Sequence, residues 1–459
     1  MNSPNNAKTE LLDKKLTFKH GVHPREFKSL SDHCSIERMP FVEEYTLPLS
    51  QHIGAPSKAI VVKGQQVKRG QKIADAGGFI SVALHSPVDG TVSDIDIFPH
   101  PNGKVLPAIK IKCDPFSPQI RESSPIDFEQ MDTKSFISSI QDAGIVGLGG
   151  AAFPAHVKFK IPEDKKCRYI MLNGCECEPF LTADHRVMVE HAKEVIDGIG
   201  ILNRFVGAEK AYIGIEANKP DAIEILAEEA KKSDFPVEVV PLKVKYPQGA
   251  EKMMITAILG KEVPSGKLPL DLGVLVSNVG TIACLSDYYR KGKPLTERVV
   301  TVTGTAIKRP GNVLVPIGTP MRDVIELCGG ITQDAVRILL GGPMMGVVQK
   351  SIDTPVVKGT SGILVLTNNE VKDLDQYSCI RCSRCVDACP IFLNPSMMGL
   401  LAKKGLWDEM MDYNVMDCFE CASCSFVCPS NIPLVQSFRV AKGMLREKWA
   451  REKEMEENA

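Results

Sequence analysis

Hydrophobic and polar positions change rhythm several times along the chain. From about Phe41 to Cys113, short β-branched runs alternate with glycine turns, which predicts an all-β region. The stretch DPFSPQIRESSPIDFEQMD, Asp114–Asp132, is rich in proline, serine and charge and predicts a linker. Beyond Gly144 the order is strand CRYIML, a long helical region over 182–206, strand AYIGIEA, helix PDAIEILAEEAKK, strand VEVVPL, helix GAEKMMITAIL and strand GVLVSNV. Strands separated by helices predict parallel βαβ units. Pro220 falls where a helix begins, a position that tolerates its missing N–H. From Val299, VVTVTGTAIKRPGNVLVPIGTPMRDVIELCGG returns to short strands with one helix, and RILLGGPMMG at Arg337–Gly346 completes a small α+β domain. TNNEVKDLDQ leads into a cysteine-rich helical region. The tail REKWAREKEMEENA interleaves Lys and Glu, as a solvated helix or a disordered end does.

Within the all-β region, VVKGQQVKRGQKIA (Val61–Ala74) is followed by HSPVDGTVSDI (His85–Ile95). The pair resembles the flattened barrel of lipoyl and biotinyl carrier domains, two interlocked hairpin-rich halves. A carrier of that kind presents a modifiable lysine at the tip between the halves. Here the tip reads DAGGFISVAL and has no lysine, so a structural module is expected rather than a swinging arm.

Length and charge narrow the picture. At 459 residues the chain is long enough for about three to four domains, each with its own core. Its 55 basic and 56 acidic residues leave no strong positive field, which argues against a nucleic-acid partner. No run approaches the roughly 18 apolar residues of a membrane span, and the polar start MNSPNNAKTELLDKK lacks a signal-peptide core, so a cytoplasmic chain is expected. In that compartment 15 cysteines point to metal binding or catalysis rather than to disulfides.

Eight of them carry the strongest signal. CIRCSRCVDACP (Cys379–Pro390) and CFECASCSFVCP (Cys418–Pro429) both fit C-x₂-C-x₂-C-x₃-C-P, the bacterial [4Fe–4S] run, in which the fourth thiolate reaches the other cluster. Two clusters are expected, one on Cys379, Cys382, Cys385 and Cys428, the other on Cys418, Cys421, Cys424 and Cys389. Structural zinc is the competing use of C-x₂-C pairs, but zinc favours two pairs separated by a longer loop. Cys34, Cys113, Cys167, Cys284 and Cys328 are expected to be small hydrophobes. Cys175 and Cys177 lie in NGCECEPF beside Glu176 and Glu178, where a metal clasp competes with a loop that holds an organic group. Two thiolates with no second pair nearby favour the loop.

The glycine-rich GIVGLGGAAFPAHVKF, Gly144–Phe159, can bring backbone N–H groups close to an anion, though it does not match GxGxxG after a strand. It gains weight from Lys158, from NGCECEP, and from KYPQGAEK and SNVGT farther on. These fall in loops or at strand-to-helix junctions, where open α/β sheets bind ligands.

In order and character, GLGGAAFPAHVKF, NGCECEP, YPQGAEK and SNVGT resemble the FMN- and NADH-binding loops of the flavoprotein subunit of respiratory complex I, which carries GRGGAGFP, NADESEP, a GEE loop and an NNVET loop. With KHGVHPREFK at the start, the barrel and the doubled cluster run, nearly the whole chain resembles the C-subunit family of the Rnf complex, a membrane-bound ion-translocating ferredoxin:NAD⁺ oxidoreductase. The resemblance implies a multidomain α/β plus β fold. Its parts are an N-terminal segment (1–40), a lipoyl-like barrel-sandwich domain (41–113), a Rossmann-like FMN/NADH domain (133–295), an SLBB-like β-grasp domain (296–366), a helical two-cluster ferredoxin domain (375–445) and a charged tail (446–459).

It further implies FMN, NAD(H) and two [4Fe–4S] clusters as cofactors. Gly147, Gly149 and Gly150 would let the backbone approach FMN, Lys158 would meet its phosphate or polar edge, Asn173 and Glu176 would contact it, and Asn278 and Thr281 would complete the pocket. Phe153, Glu178 and Glu251 would face the nicotinamide nucleotide, with Tyr246 supporting the wall. Two departures stand out: Cys175 and Cys177 replace Asp and Ser, and Ala250-Glu251 replaces a Glu pair. The implied partners are integral-membrane and iron–sulfur subunits of the complex, and the implied location is the cytoplasmic face of the membrane. A soluble flavin–iron–sulfur reductase, such as a cobalamin reductase, and a non-enzymatic electron-transfer adaptor are the alternatives.

Overall fold

The computed structural model describes residues 16–121, 123–371 and 374–457. Residues 1–15 of the N-terminal segment and 458–459 of the charged tail lie outside the described residues.

The all-β region folds as two facing sheets. One orders Glu44–Pro48, Val105–Cys113, Gly90–Pro99 and Gln66–Val67; the other orders Lys58–Ala59, Lys72–Asp75 and Leu84–His85. Alternate residues such as Tyr45, Leu47, Ile109 and Ile111 point between them and form the core. The tip that lacks a lysine is pinned rather than free. Gln141 Nε2 donates to the carbonyls of Gly78, Phe79 and Ser81, and the Ala83 N–H donates to the Gln141 carbonyl. Phe79 also meets the His156 ring edge-on at 5.6 Å.

The segment Asp114–Asp132 is strapped down rather than a free linker. Buried Gln119 bonds to the Asp89 backbone, and Phe128 packs on Tyr289. The parallel sheet orders Val237–Leu242, Lys210–Glu216, Tyr169–Asn173 and Val274–Asn278. Ile170 and Leu172 face one core, shared with helices Ala192–Val206 and Val279–Lys291, while Met171 faces another, covered by helix Glu251–Leu259. That two-sided burial explains the nearly continuous apolar strands. The predicted helical region over 182–206 is two helices, Ala183–Glu190 and Ala192–Val206. The break falls at His191, whose backbone leaves the helical region (φ −124°, ψ 31°).

The α+β domain is a six-stranded sheet ordered Ile36–Arg38, Gly311–Pro316, Glu297–Thr303, Gly362–Thr367, Ala335–Leu340 and Val347–Val348. Its edge strand Ile36–Arg38 comes from the N-terminal segment and pairs in parallel with Gly311–Pro316. The cysteine-rich region packs short helices Arg384–Ala388 and Ser423–Phe426 with Pro395–Lys404 and Leu434–Glu457 around Met398, Met410 and Phe438. The last helix carries on through the charged tail to Glu457.

Candidate functional site

The sheet order has its first strand, Tyr169–Asn173, flanked by the second and fourth in sequence, so a crevice opens at the carboxyl ends between Tyr169–Asn173 and Val274–Asn278. Asn173 and Asn278 end these strands in register. Asn278 caps helix Val279–Lys291: its Oδ1 accepts from the Gly280 and Thr281 N–H groups at 2.9 and 3.3 Å. Its Nδ2 donates to Asp184 Oδ2 at 2.7 Å. Thr281 Oγ1 accepts the Leu148 N–H at 2.9 Å and so ties down the glycine loop, which is also held where the Arg298 guanidinium donates to the Leu148 carbonyl at 3.1 Å. Gly147 donates to the Phe153 carbonyl, closing the turn with half-buried Phe153 on its far side.

The glycines leave the backbone of this loop open to a bound group. A side chain on Gly149 would press on Asn278, its Cβ 3.4 Å from Nδ2, and Gly150 has φ +108° with open space where a Cβ would stand. Backbone thus faces the crevice without side-chain cover.

The NGCECEPF loop is clamped from behind by two buried lysines, Lys28 at the end of KHGVHPREFK and Lys219 just before Pro220, neither of which the sequence marks as a site residue. Lys28 Nζ donates to the carbonyls of Glu176, Glu178 and Leu181 at 2.6, 2.9 and 2.6 Å, and Lys219 Nζ donates to the Cys175 carbonyl at 2.7 Å. Burial, with Lys219 nearby, lowers the pKa of Lys28. Glu176, at φ 48°, accepts the Asp184 and His185 N–H groups at 2.8 and 3.1 Å, so its carboxylate is engaged at a helix start. Burial beside Glu176 raises the Asp184 carboxyl. Glu178 accepts the Met344 and Met345 N–H groups at 3.0 and 2.9 Å, and burial pushes its carboxyl up to about 7. Gly342 lies so close to Glu178 that a Cβ there would fall 2.3 Å from its Oε2. The GGPMMG loop therefore sits over Glu178.

Cys175 turns its thiol to the Gly214 carbonyl, and Cys177 accepts the Gly249 N–H at 3.3 Å. Burial raises both thiols. Asn173 Nδ2 donates to the Gly249 carbonyl at 2.8 Å, joining NGCECEP to YPQG. Lys158, on Ala155–Phe159, forms an ion pair with Glu251 at the start of Glu251–Leu259. Tyr246 is buried, and its hydroxyl donates to the Cys421 carbonyl at 2.8 Å, in the cysteine-rich region.

Cysteines of the two runs lie near one another across the region. The thiol of Cys385 interacts electrostatically with those of Cys428 and Cys379, and Cys424 with those of Cys418, Cys421 and Cys389. Cys389, Cys418, Cys421 and Cys424 line one cavity with Leu393, Met398 and Phe438. Burial pushes the Cys418 thiol up to about 11 and raises Cys389, Cys421 and Cys424. A bound metal, which takes up the thiolate charge, would offset that burial.

Comparison with known proteins follows this layout. The RnfC barrel sandwich hybrid domain matches residues 16–115, the Nuo51 FMN-binding domain 140–287, the SLBB domain 299–348 and a 4Fe-4S dicluster domain 378–432. The C subunit of the proton-translocating ferredoxin:NAD(+) oxidoreductase complex of Clostridium ljungdahlii is 46% identical, with 95% of this chain and 96% of that one covered. Its Na(+)-translocating counterpart in Acetobacterium woodii is 45% identical over 93% and 96%, and the C subunit of an ion-translocating oxidoreductase complex of Rhodobacter capsulatus is 41% identical over 95% and 84%. With such identity over nearly the full length, the chain belongs to the family of C subunits of ion-translocating ferredoxin:NAD(+) oxidoreductase complexes.

Proposed function

We propose that this chain is the place where a nicotinamide nucleotide exchanges hydride beside bound FMN, and that its two cysteine quartets hold [4Fe–4S] clusters which exchange single electrons with partner subunits. FMN, when bound, supplies the conversion between two-electron and one-electron chemistry. The protein's part is to bind, orient and exclude water. Gly147, Gly149 and Gly150 offer backbone to the flavin, and Asn278 and Thr281 hold that loop against the strand ends. Asn173 fixes the YPQG loop to the pocket. Lys158 would receive the flavin phosphate or its polar edge and Glu251 the nucleotide; their ion pair holds both at the mouth until then. Glu176 and Glu178 act by shaping their loop, their carboxylates on the amides of the helix start and of the GGPMMG loop, while Phe153 would face the nucleotide.

The observation that carries this reading is the continuity of the site: one loop, Tyr246 to Gly249, touches Asn173 in the crevice and Cys421 in the cluster region. Donor and acceptor centres would be neighbours. No helix among the described residues is long and apolar enough to cross a membrane. Ion movement would then belong to integral-membrane partners, with this chain peripheral on the cytoplasmic face. Anaerobic purification should yield one noncovalent FMN with iron and sulfide for two clusters, and NADH should bleach the flavin before the clusters. Zinc in the quartets, or a flavin left oxidised by NADH, would refute the reading.

A further inference from the structure

The polypeptide between the two proposed centres is unusually direct. Tyr246 is 1% exposed, and its backbone pairs both ways with Val22, at 2.8 and 2.9 Å. The neighbouring Gly21 N–H donates to the Ala388 carbonyl at 3.2 Å, one residue before Cys389. Val22, Tyr246 and Ala388 form a small apolar cluster against which Cys177, Met344, Cys421 and Val427 pack. Three residues on from Tyr246, Gly249 binds Asn173 through its carbonyl and Cys177 through its N–H. The two hydrogen bonds to the cluster region fall on one quartet, at Cys421 itself and beside Cys389, while Val427, beside Cys428 of the other quartet, is reached through apolar packing alone. On the other quartet, Cys379 and Cys382 are exposed.

We propose that Tyr246 is a positioning residue for electron exchange: its hydroxyl, donating to the Cys421 carbonyl, holds that ligand loop against the flavin pocket and makes the Cys389, Cys418, Cys421 and Cys424 quartet the flavin-side cluster. The inference rests on the function proposed above. One electron crosses at a time: the flavin is oxidised by one and the cluster reduced by one, or the reverse, and no bond forms or breaks. A hydrogen-bonded route replaces a jump through space. A partly buried carbonyl left without its donor would also let the Cys421 loop shift, because an unmet polar group away from water is costly.

The test is Tyr246→Phe, which removes the hydroxyl alone, beside Tyr289→Phe. Tyr289 is equally buried, bonds Ser139 at 2.6 Å and lies in the α/β core. With FMN and iron at wild-type content, Tyr246→Phe should slow flavin-to-cluster electron exchange about tenfold, of the order of one lost hydrogen bond. It should also alter the electron paramagnetic resonance signal that Cys421→Ser alters, and Tyr289→Phe should do neither. If Tyr246→Phe loses iron, half must go, and the surviving signal must be the one Cys382→Ser removes. Wild-type exchange, a changed signal shared with Cys382→Ser, or iron lost equally from both quartets would overturn the inference. A wild-type protein that binds no FMN would instead overturn the functional reading beneath it.

Discussion

Cys379 and Cys382 stand at the surface with Ile380 between them 68% exposed, whereas Cys389 and Cys424 are buried and Cys421 lies under the Tyr246 hydroxyl. The two runs have the same spacing and the same closing proline. Spacing specifies ligands; surroundings specify use. The more enclosed quartet, beside the crevice, suits exchange inside the molecule, and the quartet with two exposed cysteines suits exchange with another protein, since electrons must leave where a partner can approach. The motif alone gives two equal clusters, while the setting gives them an order.

The largest effect on this contrast should come from the crossing of the fourth ligands. Cys389→Ser should convert the buried cluster to a three-iron form or shift it strongly, with the altered resonance signal matching that of Cys421→Ser. A match to Cys382→Ser would mean that each run closes its own cluster, and the inner and outer assignment would fail.

A smaller effect should come from charge. Lys442 is buried and donates to the Cys418 carbonyl at 2.6 Å and to Glu420 at 2.8 Å. A cation there favours the more negative, reduced cluster. Lys442→Met should therefore lower the potential of the buried cluster by tens of millivolts and leave the exposed one in place, as redox titration followed by resonance would reveal.

The smallest expected effect is a pH dependence. Burial holds the Glu178 carboxyl near about 7, and its charge is felt at Cys421. Its folded value lies above the ordinary carboxyl range, so it is neutral below that pH and gains a negative charge as pH rises through it. The potential of the buried cluster should then fall between roughly pH 6 and 8, a slope that Glu178→Gln should flatten and that the exposed cluster should lack.

Local patterns were readable and distant contacts were not. The strands of the parallel sheet, the all-β character of the first domain and the doubled cysteine run all follow from period, turn residues and spacing within a few residues. The clamps on the site have no such pattern. Lys28 reaches the Glu176 carbonyl across 148 positions, and Tyr246 reaches Cys421 across 175. A lysine in KHGVHPREFK looks like any surface lysine until the fold brings three carbonyls to it. Ile36–Arg38 is three residues long, too short for alternation to reveal an edge strand. Arg298, buried against the glycine loop, sits in a strand whose apolar rhythm hides it. Lys158 and Glu251 were visible as charges beside motifs; that they pair with each other required the structure.

Rapid-freeze electron paramagnetic resonance after mixing the anaerobic protein with NADH times each centre separately, and so decides whether the buried quartet stands between the flavin and the exposed one. The flavin should be reduced first, then the cluster whose signal Cys421→Ser alters, then the cluster whose signal Cys382→Ser alters. Reduction of the exposed cluster before the buried one, or of either cluster while the flavin stays oxidised, would contradict that order.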